Sequence, residues 1–427
     1  MISARTVATK ILADVERNKG YSNISIDAAL NSASLTKQDA ALVSYLVYGV
    51  LQRKITLDKI LASVSGSGFS KTHPFILQVL RVGAYQLLFS DKIPPSAAVN
   101  EAVKTVKLSK QKFASGFVNA VLRKIVSQKD IILSELSQSN DLSYRFSCDK
   151  KFVDAIITDY GKDVAFKFLE ASLQSPKLYC RENKFSDTNN LYSSLSDSDI
   201  SISKNDKIDG CFSIDNVGNI ENLPDFKKGL FFVQDLASQL AIKALDIKSD
   251  MSLLDVCAAP GGKSFTAAQY VGKNGRIVSC DLYEKRAGLI KKGAERLKID
   301  ILTAIENDAT IYNKSLGEFD RVICDVPCSG FGVIRRKPEI KYKSIDEFAD
   351  LPNIQFEILQ TSAEYLRDGG LLMYSTCTLF NRENRAVVDR FIESNNDFEI
   401  FTDQTLMPQS DDCDGFYYCI LRRVKRG

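Results

Sequence analysis

The stretch SLLDVCAAPGGKS, residues 252–264, decides the fold. Ser252 to Val256 is a short apolar run with Asp255 near its end, the profile of a buried strand. Cys257 to Gly262 is small and turn-forming, and SFTAAQY (264–270) suits a helix. Strand, small-residue turn and helix make the first unit of a doubly wound α/β domain. A ligand sits there at the carboxyl end of the strand, against the helix N-terminus. An ordinary strand-to-helix turn is the bland alternative. Gly262-Lys263-Ser264 matches the end of a P-loop, but Cys257 stands where its first glycine is needed. The GxGxxG of a dinucleotide site is absent too. A nucleoside cofactor without a pyrophosphate remains, and S-adenosylmethionine fits.

From residue 252 onward strands and helices alternate. Strand-like runs are 252–256, 276–280, 301–305, 321–325, 370–375, 398–402 and 415–421, with helices over 284–298, 352–366 and 382–394. The last two strands follow one another without a helix. Upstream, residues 4–126 read as all helix, with apolar positions recurring at three and four. Gly49, Gly83 and Gly116 interrupt or border these helices and suit close packing. Residues 127–149 are polar and read as a linker. In 150–232 two helices and short strands at 176–183 and 211–215 are expected, and 186–206, rich in Ser, Asp and Asn, reads as mobile.

A chain of 427 residues calls for two or three cores. The 44% hydrophobic and 26% charged fractions are those of a globular protein, and no apolar run reaches membrane-spanning length. The N-terminal MISARTVATKILADVE has the pattern of an amphipathic helix, not of a signal peptide. Ten cysteines without a CxxC pair, beside one histidine, argue against a zinc site and a disulfide framework. The expectation is a cytoplasmic protein with no metal and no membrane association. Residues 1–130 carry 18 Lys+Arg against 8 Asp+Glu, while the remainder carries 38 against 45. A basic first domain on a mildly acidic body suggests a grip on nucleic acid, although ordinary surface lysines would look similar. His73, before Pro74, reads as a surface residue rather than a catalyst.

Two further strand ends carry chemistry. The fourth strand runs into DVPCSGFGVIRRKPEIK (325–341), and the fifth ends in YSTCT with Cys377. Methyltransferases acting on exocyclic amines place [DN]PP[YF] after the fourth strand. Here Asp325 is followed by Val326, Pro327 and Cys328, and a thiol there implies covalent chemistry at a base carbon. Either cysteine alone could be a buried inert thiol. Arg335, Arg336, Lys337, Lys341 and Lys343 read as a basic loop for phosphates, or as a solvated face.

CAAPGGK, PCSG and STC together resemble the RNA cytosine-5 methyltransferases of the Nop/Sun (NSUN) family. The resemblance extends to FFVQDLASQLAIKAL (231–245), whose Gln234, Asp235 and Ser238 would brace the site wall or cap a helix, and to DGFYYCILRR (414–423). Residues 38–58, 80–89, 97–103 and 116–124 resemble the NusB family of RNA-binding antitermination factors, with Ser96 where a histidine is common. The segment SYRFSCDKKFVDAIITDYG matches only loosely, lacking the usual Pro and Trp.

These resemblances imply a multidomain chain. An all-α NusB-like RNA-binding domain would occupy 1–130. A linker and small α+β, RNA-recognition-like subdomain would follow at 131–235. An α/β Rossmann-like class I methyltransferase domain would fill 236–427, with strand order 3-2-1-4-5-7-6. Cofactor contacts would come from Cys257, Ala258, Ala259, Pro260, Gly261, Gly262 and Lys263, from Asp281 at the ribose, from Asp308 near the adenine and from Asp325. Cys377 would be the nucleophile and Cys328 would assist release, with Asp325 and Lys263 completing the catalytic set. Cys328 as nucleophile, as in DNA cytosine methyltransferases, is the rival. A thiolate adds to carbon 6 of cytosine to activate carbon 5, so the site must favour the thiolate. A neutral Asp325 carboxyl could protonate ring nitrogen 3. The implied partner is small-subunit ribosomal RNA, acted on by a monomer. The alternatives are the same chemistry on another RNA such as transfer RNA, or an RNA-binding adaptor with a vestigial catalytic domain.

Overall fold

The computed structural model describes residues 3–18, 35–198 and 200–424. Residues 19–34, part of the stretch read as helical, lie outside them. The chain divides into two compact units. One comprises 1–174 with 334–344, and the other 175–333 with 345–427.

The first unit is helical. Its principal helices are Ala4–Asn18, Lys37–Gln52, Lys54–Ser65, Pro74–Phe89, Pro95–Lys107 and Ser115–Ser127. Their apolar faces close on one core that includes Leu46, Val50, Leu57, Leu80, Val118 and Leu122. A Cβ at Gly49 would lie 2.0 Å from the Tyr85 ring, and one at Gly83 would lie 2.7 Å from Leu122, so both glycines permit close crossings. Gly116 meets nothing within 4 Å, which removes it from that role. Arg81 is buried in the core. Its Nε donates to Asp58 at 2.7 Å and its Nη1 to Glu16 at 2.9 Å. His73 is exposed, and its Nδ1 accepts the Phe75 N–H as the cap of helix Pro74–Phe89.

The stretch read as a linker is instead helical over Lys129–Gln138 and Leu142–Phe146. Its polar letters hide Ile132, Leu136, Leu142 and Phe146, each buried. Helices Lys150–Tyr160 and Lys162–Ala171 follow as expected. The units therefore meet at 174/175, inside the span assigned to one subdomain.

The segment 334–344 departs furthest from its sequence reading. Lys341 is fully buried, and its Nζ donates to the carbonyls of Phe146 (3.0 Å) and Gln52 (3.3 Å). The Tyr342 hydroxyl bonds the Leu51 carbonyl. Arg335 is 7% exposed, and its carbonyl accepts from Gln52 Nε2 at 3.1 Å. Lys341 and Arg335 are thus structural and unavailable to phosphates. Ile340 is buried with Lys341 and Tyr342 is half-buried beside it, and a charged run in the sequence does not show that.

The second unit carries two sheets. The smaller is antiparallel, in the order β2-β3-β1-β4, from β1 (Leu178–Glu182), β2 (Ser201–Lys204), β3 (Cys211–Asp215) and β4 (Phe231–Val233). β2 and a short helix, Leu191–Ser196, occupy the stretch read as mobile; Leu191 and Leu195 anchor it in the sheet's core. The larger sheet contains β5 (Ser252–Asp255), β6 (Arg276–Asp281), β7 (Leu302–Glu306), β8 (Phe319–Asp325), β9 (Leu366–Thr376), β10 (Phe398–Leu406) and β11 (Phe416–Arg423). Its order, β10-β11-β9-β8-β5-β6-β7, is the expected one. β5 to β9 pair in parallel, and β11 inserts antiparallel between β9 and β10. Successive residues alternate between two cores. Leu253, Ile277, Ile323 and Met373 face one, and Leu254, Val278, Val322 and Leu372 the other. Both faces are covered, as a parallel sheet requires. The carboxyl ends of β5, β6, β8 and β9 consequently gather Asp255, Asp281, Asp325 and Cys377 at one edge.

Candidate active site

The turn after β5 is held by its own backbone. Ala258 N–H donates to the Cys280 carbonyl at 2.8 Å and Gly261 N–H to the Ala258 carbonyl at 2.7 Å. The Ala259–Pro260 peptide is cis. Gly261 has φ 109°, a left-handed conformation that favours glycine, and a Cβ there would enter the Phe265 ring at 2.4 Å. Helix Gly262–Val271 starts immediately after, with its N-terminal N–H groups towards the turn.

Beside this turn lies a cavity of about 210 Å³, lined by Val233, Gln234, Ser238, Asp255, Cys257–Pro260, Gly262, Lys263 and Asp325. Two buried carboxylate oxygens around it lack a hydrogen-bond donor, Asp255 Oδ1 and Asp281 Oδ1. Asp281 accepts from Ala259 N–H at 3.2 Å through Oδ2, while Arg286 Nε comes within 3.4 Å of Oδ1 without completing a hydrogen bond. An orphaned buried acceptor is costly unless a ligand supplies its donor. Ribose hydroxyls and an ammonium are such donors, so the residues present fit S-adenosylmethionine. Asp308 is committed differently. Its Oδ1 accepts the Thr310 N–H (2.9 Å) and hydroxyl (2.7 Å), and these bonds hold its carboxyl below the usual range.

Asp255 was legible only as a strand-end acid. It is fully buried, and Ser264 donates to its Oδ2 at 2.7 Å, itself bonded to Ser279. Burial pushes its carboxyl up to about 7, against the lowering effect of the Ser264 bond. Lys263 Nζ meets Asp325 Oδ2 at 2.7 Å, and Ser375 Oγ donates to Asp325 Oδ1 at 2.7 Å. Burial lowers the Lys263 ammonium, but the Asp325 charge and hydrogen bond outweigh it and the net shift is upward. Lys263 is therefore a cation at any working pH. Both Asp325 oxygens accept hydrogen bonds here, one from Lys263 and one from Ser375.

The two cysteines of PCSG and STC come together. Cys328 Sγ and Cys377 Sγ are 3.2 Å apart, and the Cys377 N–H points at Cys328 Sγ at 3.3 Å. The hydrogen bond to Cys377 and then burial push the Cys328 thiol well up. Cys257, the third cysteine near the site, is also pushed well up by burial and stays an inert thiol.

A second set of residues supports these loops and carried no sequence signal. Glu383 is buried, and its Oε2 accepts from Ser329 N–H (2.9 Å) and Gln355 Nε2 (3.0 Å). Gln355 Nε2 also bonds the Pro327 carbonyl at 3.0 Å. Ser329 Oγ meets Thr378 Oγ1 at 2.9 Å, and Thr376 Oγ1 meets Asn384 Oδ1 at 2.6 Å. This network ties the Cys328 loop to the Cys377 loop. Only NREN (381–384), polar and directly after STCTLF, could have suggested it. Asp235 takes the capping role: its Oδ1 accepts Ala237 N–H at 2.9 Å and Asp414 N–H at 3.1 Å. Gln234 takes the wall role, accepting from Thr266.

Among the described residues no group of side chains could hold a metal, and no helix is long and apolar enough to cross a membrane.

Known proteins resemble this chain along its whole length. The model of the 16S rRNA methyltransferase RsmB/F family matches residues 242–422, and that of the NusB family matches residues 2–127. The probable ribosomal RNA small subunit methyltransferase B of Bacillus subtilis is 36% identical over 447 residues, covering 99% of each chain. Ribosomal RNA small subunit methyltransferase B of Proteus mirabilis is 29% identical, covering 98% of each. Among solved structures, that of PH0851 has a TM-score of 0.82 at 20% identity over 99% of both chains. That of NSun6 from Pyrococcus horikoshii with SFG has a TM-score of 0.60 at 18% identity, covering 65% of this chain and 99% of the other. The structural likenesses concern the fold.

Proposed function

The chain belongs to the ribosomal RNA small subunit methyltransferase B family and is a 16S rRNA methyltransferase, and from that premise we propose how it works. The target is carbon 5 of one cytosine, and the catalyst is Cys377. The observation that carries this is the contact between Cys377 and Cys328, whose hydrogen bond pushes the Cys328 thiol up.

S-adenosylmethionine, when bound in the cavity, supplies an electrophilic methyl group. The turn Cys257–Gly262 would hold it, with Asp281 on the ribose, Asp255 on the ammonium and Asp308 towards the adenine. The Lys263 ammonium raises the potential at Cys377 and favours its thiolate, and its own proton is stabilised by Cys377 in return. The thiolate sulfur forms a bond to carbon 6, and the electron pair of the carbon 5–carbon 6 double bond moves into the ring. Ring nitrogen 3 gains a proton through the Asp325–Lys263 pair. Carbon 5 is thereby made enamine-like and nucleophilic towards the methyl group that S-adenosylmethionine would supply, its methyl–sulfur bond breaking to leave the neutral thioether. After loss of the carbon-5 proton to a base, the carbon 6–sulfur bond breaks and Cys377 leaves as a thiolate. Cys328, a thiol 3.2 Å away, hydrogen-bonds the leaving sulfur. The base must leave its stack to reach this edge.

The test is bisulfite sequencing of ribosomal RNA from a strain lacking the gene, complemented with wild type or Cys377→Ala. Loss of one small-subunit 5-methylcytosine, restored only by wild type, supports the reading. Loss at a transfer RNA site, or no loss, would remove it.

A further inference from the structure

Residues 102–129 of the first unit form an acid-free run that holds Lys104, Lys107, Lys110, Lys112, Arg123, Lys124 and Lys129 and no Asp or Glu. Its middle, KLSKQKF (107–113), joins helix Pro95–Lys107 to a short 3₁₀ turn, Lys112–Ala114. Two apolar side chains stand out of this loop into solvent, Leu108 at 79% and Phe113 at 84% exposed. Phe113 lies in the 3₁₀ turn ahead of the following helix, Ser115–Ser127. Phe117, Val118, Val121, Leu122 and Ile125 of that helix pack on the core, and Phe113 does not. Lys107, Lys110 and Lys112 are exposed and make no ion pair among the described residues. Gln111 Nε2 lies 3.3 Å from His73 Nε2, which fixes the loop against the start of helix Pro74–Phe89. A second acid-free run, residues 59–90, includes that helix start and Lys71.

A phenylalanine this exposed gains little from folding, because it buries little area. Between lysines it has the makings of a stacking platform. An unpaired base presents a π-face to the ring, and the flanking phosphates meet the ammonium groups. A protein partner would require an apolar patch with fewer lysines, since lysine is depleted at such interfaces.

We propose that the Lys107–Phe113 loop docks a single-stranded segment of ribosomal RNA, with Phe113 stacked on a base and Lys107, Lys110 and Lys112 on the adjoining phosphates. This rests on ribosomal RNA being the substrate. It adds a second contact on the RNA, in a unit separate from the one that holds the cysteines.

The experiment uses the full chain and a 16S rRNA transcript, with affinity read by fluorescence anisotropy across a salt series. Phe113→Ala should weaken binding roughly ten-fold, the scale of one lost base stack, and leave the salt slope unchanged. Phe113→Tyr should bind as wild type. Lys110→Gln with Lys112→Gln should lower the slope of log K against log salt by about 1.4, two single-strand phosphate contacts. Equal affinity of Phe113→Ala and wild type would overturn the proposal. So would a wild-type dimer that Phe113→Ala converts to monomer in sedimentation, since the occupant would then be a second copy. Wild type that binds through Phe113 but transfers no methyl to the transcript would sink the substrate reading and leave the docking surface standing. Circular dichroism checks that each variant is folded.

Discussion

Cys328 Sγ lies 3.2 Å from Cys377 Sγ, and the Cys377 N–H points at the same Cys328 sulfur at 3.3 Å. Cys328 is pushed well up, first by its hydrogen bond to Cys377, and we assign Cys377 as the nucleophile. Cys377→Ala should therefore abolish methyl transfer and leave no covalent RNA complex. Cys328→Ala should transfer one methyl and then stall, accumulating an adduct that survives a denaturing gel. An adduct in Cys377→Ala and none in Cys328→Ala would exchange the two roles.

Lys263 and Asp325 form the charge pair beneath these sulfurs, with side chains 14% and 27% exposed. Lys263→Met would leave Asp325 with Ser375 as its remaining donor. Stability should fall by about 3 kcal/mol, at the low end for a broken buried pair because Asp325 is partly solvated. Alkylation of Cys377 by iodoacetamide should shift to higher pH. Because the Lys263 ammonium is raised above its ordinary value, its contribution is present throughout the neutral range and is lost only at pH above that value. An unshifted alkylation profile in Lys263→Met would detach the lysine from the thiolate.

Asp255 is fully buried with its carboxyl raised to about 7, against an ordinary 3.8. The unfolded chain releases this proton at lower pH than the folded one. Wild-type stability is thus eroded as pH rises from about 4 to about 7, by roughly 4 kcal/mol at most. Asp255→Asn removes the titration. Its unfolding free energy relative to wild type should grow across that window and level off above it, while binding of S-adenosylmethionine weakens. Parallel stability curves for the two proteins between pH 4 and 7 would show that Asp255 does not carry the shift.

Gly332 holds the backbones of both cysteine loops together. Its N–H donates to the Cys377 carbonyl at 2.9 Å and its carbonyl accepts from Gly415 at 3.0 Å. A Cβ there would lie 2.0 Å from the Gly415 carbonyl oxygen and 2.7 Å from that of Cys377. Backbone cannot rotate away as a side chain can. Gly332→Ala should cost about 1–3 kcal/mol of stability and reduce methyl transfer at least about ten-fold by displacing Cys377. A normal single-turnover rate in a folded Gly332→Ala protein would contradict this.

Lys341 is a buried lysine of the helical unit. Burial lowers it to about 8, from an ordinary 10.5. Between these values the unfolded chain carries a proton that the folded chain lacks, so wild-type stability rises with pH from about 8 to about 10.5. Lys341→Met lacks that rise and also loses the bonds to Gln52 and Phe146. The cost of the substitution should grow across this window in urea titrations; a cost constant with pH would place Lys341 in solvent.

Much of this protein was legible in one dimension, where a local rule decides. Alternating apolar runs gave the seven strands of the large sheet because parallel strands must be buried on both faces. CAAPGGK, PCSG and STC marked three strand ends because each needs small residues or a thiol where the backbone turns. The four-stranded sheet was only half legible. β2 and β4 are short and polar or joined to a helix, and they acquire strand geometry only by pairing with β3 and β1.

By itself, then, the sequence determined the chemistry on offer: a cofactor turn, two thiols, and acids at strand ends. Tertiary structure alone decided which groups meet and in what charge state. Residues 328 and 377 become neighbours because β8 pairs with β9, and the upward push on the Cys328 thiol follows from that contact. Glu383 joins the site because its chain returns beneath Ser329. Lys341, in a run that read as a face for phosphates, is buried against carbonyls of its own unit. Burial and partner distance set these outcomes, and both are properties of chain segments brought together from far apart in sequence.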